Sequence, residues 1–179
     1  MLSWRAAFLI FCVVVAVAEC SQEVPTVYII LSVKTDKFIV KRCVASLLRH
    51  QSDSIKQRVI FVDDGSPDDT VSFEHGLCDN QSSMFTCLKN RQTGYTHAIR
   101  YGIETALTRS TQVEDSIVLL NSDVVVTHGW LFTLHQALMQ DDQTMIVGPI
   151  SNAGMCAASS KLCSWLIVRL CNISFVMSL

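Results

Sequence analysis

The 179-residue chain is half apolar, carries a formal net charge of −2 and contains 8 cysteines. That length suits a single domain, and neither a low-complexity tract nor a solenoid-spaced repeat interrupts it. The near-neutral balance offers no basic face to a phosphate backbone, which argues against a nucleic-acid partner.

Residues 1–18 stand apart. Arg5 precedes an unbroken apolar run from Ala6 to Ala18, shorter than the about 20 residues that a membrane-spanning helix needs. The run closes on Ala16-Val17-Ala18, small residues of the kind a signal peptidase requires. The reading is a secretory signal peptide cleaved after Ala18, with an uncleaved signal anchor as the alternative. Either places the remainder in the secretory pathway, in the ER or Golgi lumen or outside the cell. Cysteine usage agrees, because disulfides persist where thiols are not kept reduced. Removing the signal takes away Cys12 and leaves an odd number. Cys78 and Cys87, flanking "DNQSSMFT", are the expected pair, and Cys43 reads as a small core residue. The sequons at Asn80 and Asn172 fit the same route.

After Pro25, "TVYIILSV" is apolar at both parities and β-branched, which predicts a fully buried strand. Thr35 or Asp36 can cap the next helix, whose apolar positions Val40, Cys43, Val44, Leu47 and Leu48 recur at helical spacing. "RVIFVDD" is a second buried strand, closed by Gly65, Ser66 and Pro67, with a short helix expected from about Asp68. "FTCLKN" is a weaker strand. "GYTHAIRYGIETALTRS" returns to helical period, with Tyr95, Ala98, Ile99, Gly102, Ile103, Ala106 and Leu107 on one side. "SIVLLNSDVVV" is a strong strand, "GWLFTLHQALMQ" a helix burying Leu131, Leu134, Leu138 and Met139, and "TMIVGPIS" completes the series. Buried strands alternating with amphipathic helices predict an α/β domain of three layers around a mostly parallel sheet.

Ligands of open parallel sheets bind beyond the carboxyl ends of the strands, and both "VDDGS" and "LNSD" lie at such ends. Asp63, Asp64 and Asp123 are therefore expected to meet around one cation at a common rim. Crowded carboxylates need a cationic partner, and Mg²⁺ or Mn²⁺ carrying a diphosphate supplies one. His97, His128 and His135 read as surface or packing residues, and Trp130 as a packing anchor.

The ordered segments "VDDGSPDDT", "N", "TGYTHAIRYGIETA", "IVLLNSDVVVTHGWL" and "IVGPISNAG" resemble family 2 glycosyltransferases of the GT-A fold, over Val24 to Ala158. The resemblance implies a nucleotide-diphospho-sugar donor and transfer of its sugar to a hydroxyl of a glycan, lipid or protein acceptor. Asp63 and Asp64 match the acidic pair that helps hold the base and ribose, and Gly94 the turn beside the nucleotide. Asn121-Ser122-Asp123 matches the DxD-type element, with Asn121 at its first position and Asp123 as the expected metal ligand.

Departures accompany the match. "LSVKTD" stands where the family carries a Pro-x-Tyr-Asn type segment. The acceptor half, which supplies the general base, would follow "SNA", yet residues 153–179 contain no Asp or Glu. The expectation is the N-terminal, donor-binding half of such a fold, from a truncated product. A catalytically incomplete nucleotide-sugar-binding fragment and a secreted interaction module on the same scaffold are the alternatives. Residues 159–179 form an apolar tail with Arg169 in its midst; a short core helix and an interfacial segment are both open for it. This tail and the N-terminal segment are the two routes to membrane association.

Overall fold

The computed structural model describes residues 24–34, 36–148 and 165–170. The segment read as a signal, "PISNAG" and most of the apolar tail lie outside these residues. In chain order the elements are β1 (Thr26–Val33), α1 (Lys37–Arg49), β2 (Lys56–Asp63), α2 (Asp68–Asn80), β3 (Phe85–Lys89), α3 (Tyr95–Arg109) and β4 (Ser116–Asn121). They continue with α4 (Trp130–Met139), β5 (Ile146–Val147) and β6 (Trp165–Arg169).

Among the described residues six strands form one sheet in the order β3-β2-β1-β4-β6-β5. The first four are mutually parallel, and β6 runs antiparallel to both β4 and β5. β1 lies inside the sheet, so both of its faces need apolar cover. Val27, Ile29, Leu31 and Val33 pack toward the core shared with α1, α2 and α4. Tyr28 and Ile30 pack toward α3 through Ala98, Ile99, Ile103 and Ala106. Helices therefore cover both faces, giving three layers. α3 approaches so closely that a Cβ on Gly102 would run into the Ile30 side chain.

Local chemistry starts α1 as the sequence predicts. Asp36 caps α1 by accepting from the Phe38 amide at 2.7 Å, satisfying one of the donors that a helix start leaves open. Cys78 and Cys87 form the expected disulfide and tie the end of α2 to β3, while Cys43 is buried with a free thiol.

Two elements differ from expectation. β4 stops at Asn121, because the Val124 amide donates back to the Asn121 carbonyl and closes a turn. Val126 is nevertheless buried, its amide donating to Ser46 Oγ at 3.0 Å, whereas Val125 is exposed. In the tail, Trp165–Arg169 is a strand inserted between β4 and β5, not a helix. Its Ile167 and Val168 serve the two cores in turn. A short run apolar at both parities reads alike as buried strand or buried helix, so period alone could not decide. Arg169 is buried as well. Its guanidinium donates to the carbonyls of Leu138 at 2.6 Å and Asp141 at 3.0 Å, closing the C-terminal end of α4.

Candidate functional site

The chain proceeds from β1 outward through β2 and β3, then returns to place β4 on the other side of β1. Such a reversal marks the place, beyond the carboxyl ends of β1 and β4, where open α/β sheets hold ligands. Register fixes what borders it. Val33 of β1 pairs with Asp63, and Ser32 pairs with Asn121. The two acidic segments thus end at the same rim, one strand to either side of β1 and about 10 Å apart.

Asp64 organises the rim on the α3 side. Its Oδ1 accepts from the Asn90 side-chain amide at 2.7 Å and from the Gly94 backbone N–H at 2.8 Å. Its Oδ2 faces Lys34 Nζ at 3.4 Å. Burial pushes this carboxyl up, but the Gly94 and Asn90 hydrogen bonds and the Lys34 charge outweigh it and hold it below the usual carboxylate value. Asn90 also donates to the Gly94 carbonyl at 3.3 Å. Gly94 itself has φ +130°, a conformation that side-chain-bearing residues rarely adopt. One carboxylate thereby shapes the whole turn that launches α3.

Asp63 turns the other way. In β2 it follows Val59 and Phe61, which face the core of α1, α2 and α4, and successive strand residues point to opposite faces. Its Oδ1 accepts from the Ser66 amide at 2.8 Å. Beneath it lies a cavity of about 290 Å³ lined in part by Asp63, Ser66, Glu74, His75 and Lys89. Glu74 is 2% exposed. Burial first, then the Asp63 charge, pushes its carboxyl up to about 8.

The Asn121–Val124 turn carries Asp123 on its exposed third position. Asn121 Oδ1 accepts from the Tyr95 hydroxyl at 3.4 Å, linking the turn to the first residue of α3. Cys43 Sγ lies 4.0 Å from the Asn121 carbonyl. Burial pushes that thiol up to about 12, with the nearby Asp123 charge acting in the same direction.

The rim therefore gathers Asp63, Asp64, Gly94, Asn121 and Asp123, but the three carboxylates do not converge on a single point. Among the described residues no group of three or more His, Cys, Asp or Glu is placed to hold a metal ion. The β pleat explains the divergence, because it sends adjacent Asp63 and Asp64 to opposite faces. Asp123, an exposed carboxylate on a tight turn, fits a cation held by one protein oxygen, with phosphates and waters completing its shell, as Mg²⁺ commonly is. His97 and His128 are exposed, and His135 is buried with Nε2 3.2 Å from the Glu114 carbonyl. Trp130 is buried in the core beside α1.

Sequence reasoning assigned no role to Asn90 or Glu74 and placed Tyr95 on the packed side of its helix, where the structure leaves it 45% exposed. Glu74 lies one helix turn beyond the buried Thr70 and lines the same cavity as Val71, on the inner side of α2. For Tyr95 the sequence carries no signal, since a first-turn aromatic can face either core or rim.

A family model described as "Glycosyl transferase family 2" matches residues 28–169, extending past Ala158 into β6. Among solved structures, the chain is similar to a mannosyltransferase from Pyrobaculum calidifontis in complex with GDP-Man and Mn²⁺. The TM-score is 0.65 at 15% identity, over 85% of this chain and 46% of that one. It is also similar to GalNAc-T7 with UDP, GalNAc and Mn²⁺, with a TM-score of 0.59 at 14% identity, over 72% of this chain and 23% of that one. The chain thus spans less than half the length of either. No curated protein matches it.

Proposed function

Because the chain belongs to glycosyl transferase family 2, with a sheet and helix arrangement of the GT-A type, we propose that it binds a nucleotide-diphospho-sugar together with a divalent cation. The sugar is then passed to a hydroxyl of a glycan, lipid or protein acceptor. The observation that carries this reading is the rim itself. The Asp64–Asn90–Gly94 turn, Asn121 and Asp123 lie along one rim of the sheet at the point where strand order reverses.

In this reading Gly94 lets the backbone run close to the nucleotide, and Asp64 holds that turn in place. Asp63 and Asp64 help hold the base and ribose from the two faces of the sheet. Asp123 ligates Mg²⁺ or Mn²⁺. A bound cation would act as a Lewis acid on the departing diphosphate, offsetting the charge that builds as the sugar–phosphate bond breaks. Asn121, fixed by the Tyr95 hydroxyl, accepts a hydrogen bond from a water or a ribose hydroxyl.

We place the protein in the secretory pathway. The N-terminal segment suggests that route, and the Cys78–Cys87 disulfide is favoured in an oxidising compartment. Among the described residues no helix is long and apolar enough to cross a membrane. Expression with a C-terminal tag, followed by N-terminal sequencing of the secreted product, tests cleavage after Ala18.

The function is tested by titration calorimetry with UDP and GDP, in Mn²⁺ and in EDTA. Binding is expected to be tighter in Mn²⁺, and Asp123→Asn should reduce the Mn²⁺ affinity to the EDTA level. A folded protein with no affinity for either nucleotide in Mn²⁺ would defeat the proposal. Measuring sugar release and transfer with radiolabelled donors then separates transfer from binding alone.

A further inference from the structure

The end of the sheet opposite the rim holds a polar cavity of about 480 Å³, where β2 begins and α2 ends. Gln57, the second residue of β2, lines it at 8% exposure. Neither Oε1 nor Nε2 of its carboxamide has a hydrogen-bond partner among the described residues. A buried amide without partners is costly, and a native fold retains one where a ligand or water completes it. Asn80 lines the same cavity from the last position of α2. It is exposed, as are Gln81 and Ser82 after it, and the three spell the Asn-x-Ser acceptor of N-linked glycans.

We propose that Asn80 carries an N-linked glycan and that its first N-acetylglucosamine folds back over the cavity, where its hydroxyls complete the Gln57 carboxamide. The inference rests on the secretory placement proposed above and adds to it a modified residue and the surface on which the sugar sits.

The attachment is a substitution at the sugar's anomeric carbon. Asn80 Nδ2 forms a bond to C1 of an oligosaccharide carried on a polyprenyl diphosphate, the C1–O bond to that diphosphate breaks, and Nδ2 gives up one proton. The remaining N–H suffices for the Gly76 carbonyl, to which Asn80 Nδ2 donates at 2.7 Å. The Cys78–Cys87 crosslink ties the end of α2 to β3, which holds Asn80 beside the cavity. A carboxamide offers an acceptor oxygen and two N–H donors, and a hydroxyl both donates and accepts. Neighbouring hydroxyls of one sugar ring can therefore meet both ends of Gln57. Ile55 and Met84 line the same space and supply apolar surface for the C–H face of the ring, while Ser52 and Ser83 offer further hydroxyls. A tethered sugar stays at high effective concentration, so contacts too weak to capture free sugar can keep the attached one seated.

The test expresses the full chain in a glycosylating secretory host, in a Ser174→Ala background that removes the second sequon. Peptide mass spectrometry should find Asn80 glycosylated; Ser82→Ala should abolish the modification and Ser82→Thr should keep it. Endoglycosidase H, applied to high-mannose product, trims the glycan to its first N-acetylglucosamine. The trimmed protein should melt within about 1 °C of the full glycoform and about 4 °C above Ser82→Ala, the shift that one or two hydrogen bonds give in a domain of this size. Gln57→Leu deletes the carboxamide and should bring the trimmed and Ser82→Ala forms within about 1 °C of each other. Should Ser82→Ala fail to fold, peptide N-glycosidase treatment of the folded protein, which converts Asn80 to aspartate, supplies the unglycosylated arm. An unmodified Asn80 in protein that has entered the secretory route with its disulfide formed overturns the proposal alone. So does a trimmed form that melts with Ser82→Ala, or a gap that survives Gln57→Leu. A chain retained in the cytosol overturns the secretory reading and this one together.

Discussion

Asp64 offers the sharpest test of how the rim is built, through Asp64→Ala. The substitution removes the acceptor for the Gly94 amide at 2.8 Å and the Asn90 side chain at 2.7 Å. Hydrogen bonds to an ionised partner are worth about 1.5–3 kcal/mol each, and donors left behind a buried wall incur a desolvation penalty. The Lys34 pair adds at most about 1 kcal/mol, because Lys34 is 59% exposed and water screens it. Partial rehydration of the opened turn recovers some of this, leaving an expected loss of about 3 kcal/mol. Asp64→Asn keeps one acceptor oxygen and should cost roughly half as much.

The same residue makes a pH prediction. Its folded value is lowered, so its contribution is complete above the ordinary aspartate value of about 3.9 and is lost as pH falls through the lower folded value. Urea denaturation of wild type and Asp64→Ala should therefore differ by the full amount at neutral pH, and the gap should narrow as pH drops below about 4. A neutral-pH difference under about 0.5 kcal/mol would refute the assigned hydrogen bonds. A gap that stayed constant down to strong acid would refute the ionic part.

Two further perturbations probe the scaffold beneath the rim. Gly102→Ala adds a methyl group against Ile30 and should destabilise by about 1–3 kcal/mol in thermal unfolding. At a helix position with open space the same change would stabilise, so a raised melting temperature would contradict the close approach of α3 to β1. Replacing Cys78 and Cys87 by serine releases a crosslink with sequence separation 9. The chain-entropy relation gives about 2.5–3 kcal/mol for a loop of that size, and chemical denaturation of the double variant measures it. A cost below about 1 kcal/mol would mean that the α2–β3 junction holds without the crosslink.

Much of this architecture was legible in sequence, and the reason differs from element to element. β1 and β2 announce themselves because their short apolar runs are rich in β-branched residues and bounded by turn formers, Pro25 before β1 and Gly65-Ser66-Pro67 after β2, which decides for strand where period alone does not. α1 is legible through the Asp36 cap and the recurrence of Val40, Cys43, Val44 and Leu47, all of which are buried. The rim was legible only as two acidic strand ends. Which face each carboxylate serves depends on where its strand stops and on the loops that meet it. The Asp64 partners come from 26 and 30 residues away, a separation that no local pattern encodes. Asp115 is illegible in the sequence for the same cause. It is 1% exposed and accepts from the Thr26 amide, 89 residues distant, while also organising the turn after α3 through Ser110 and Thr111.

The pleat gives the paired aspartates unequal duties. Asp64 is committed to Asn90 and Gly94, so its first effect on a ligand is indirect, through the turn that it fixes. Asp63 has Ser66 on one oxygen and Glu74 as its electrostatic neighbour, so it can act on a ligand directly. The two single alanine variants should accordingly fail in different ways. Asp64→Ala lowers unfolding free energy and weakens all nucleotides together, because the shared turn loosens. Asp63→Ala leaves Glu74 without a like-charged neighbour and lets it ionise more readily, and it weakens nucleotide binding more than it alters stability. Identical profiles for the two variants, in denaturation and in nucleotide affinity, would mean that the pair acts as one undivided acidic patch and that its division between the faces of the sheet has no functional consequence.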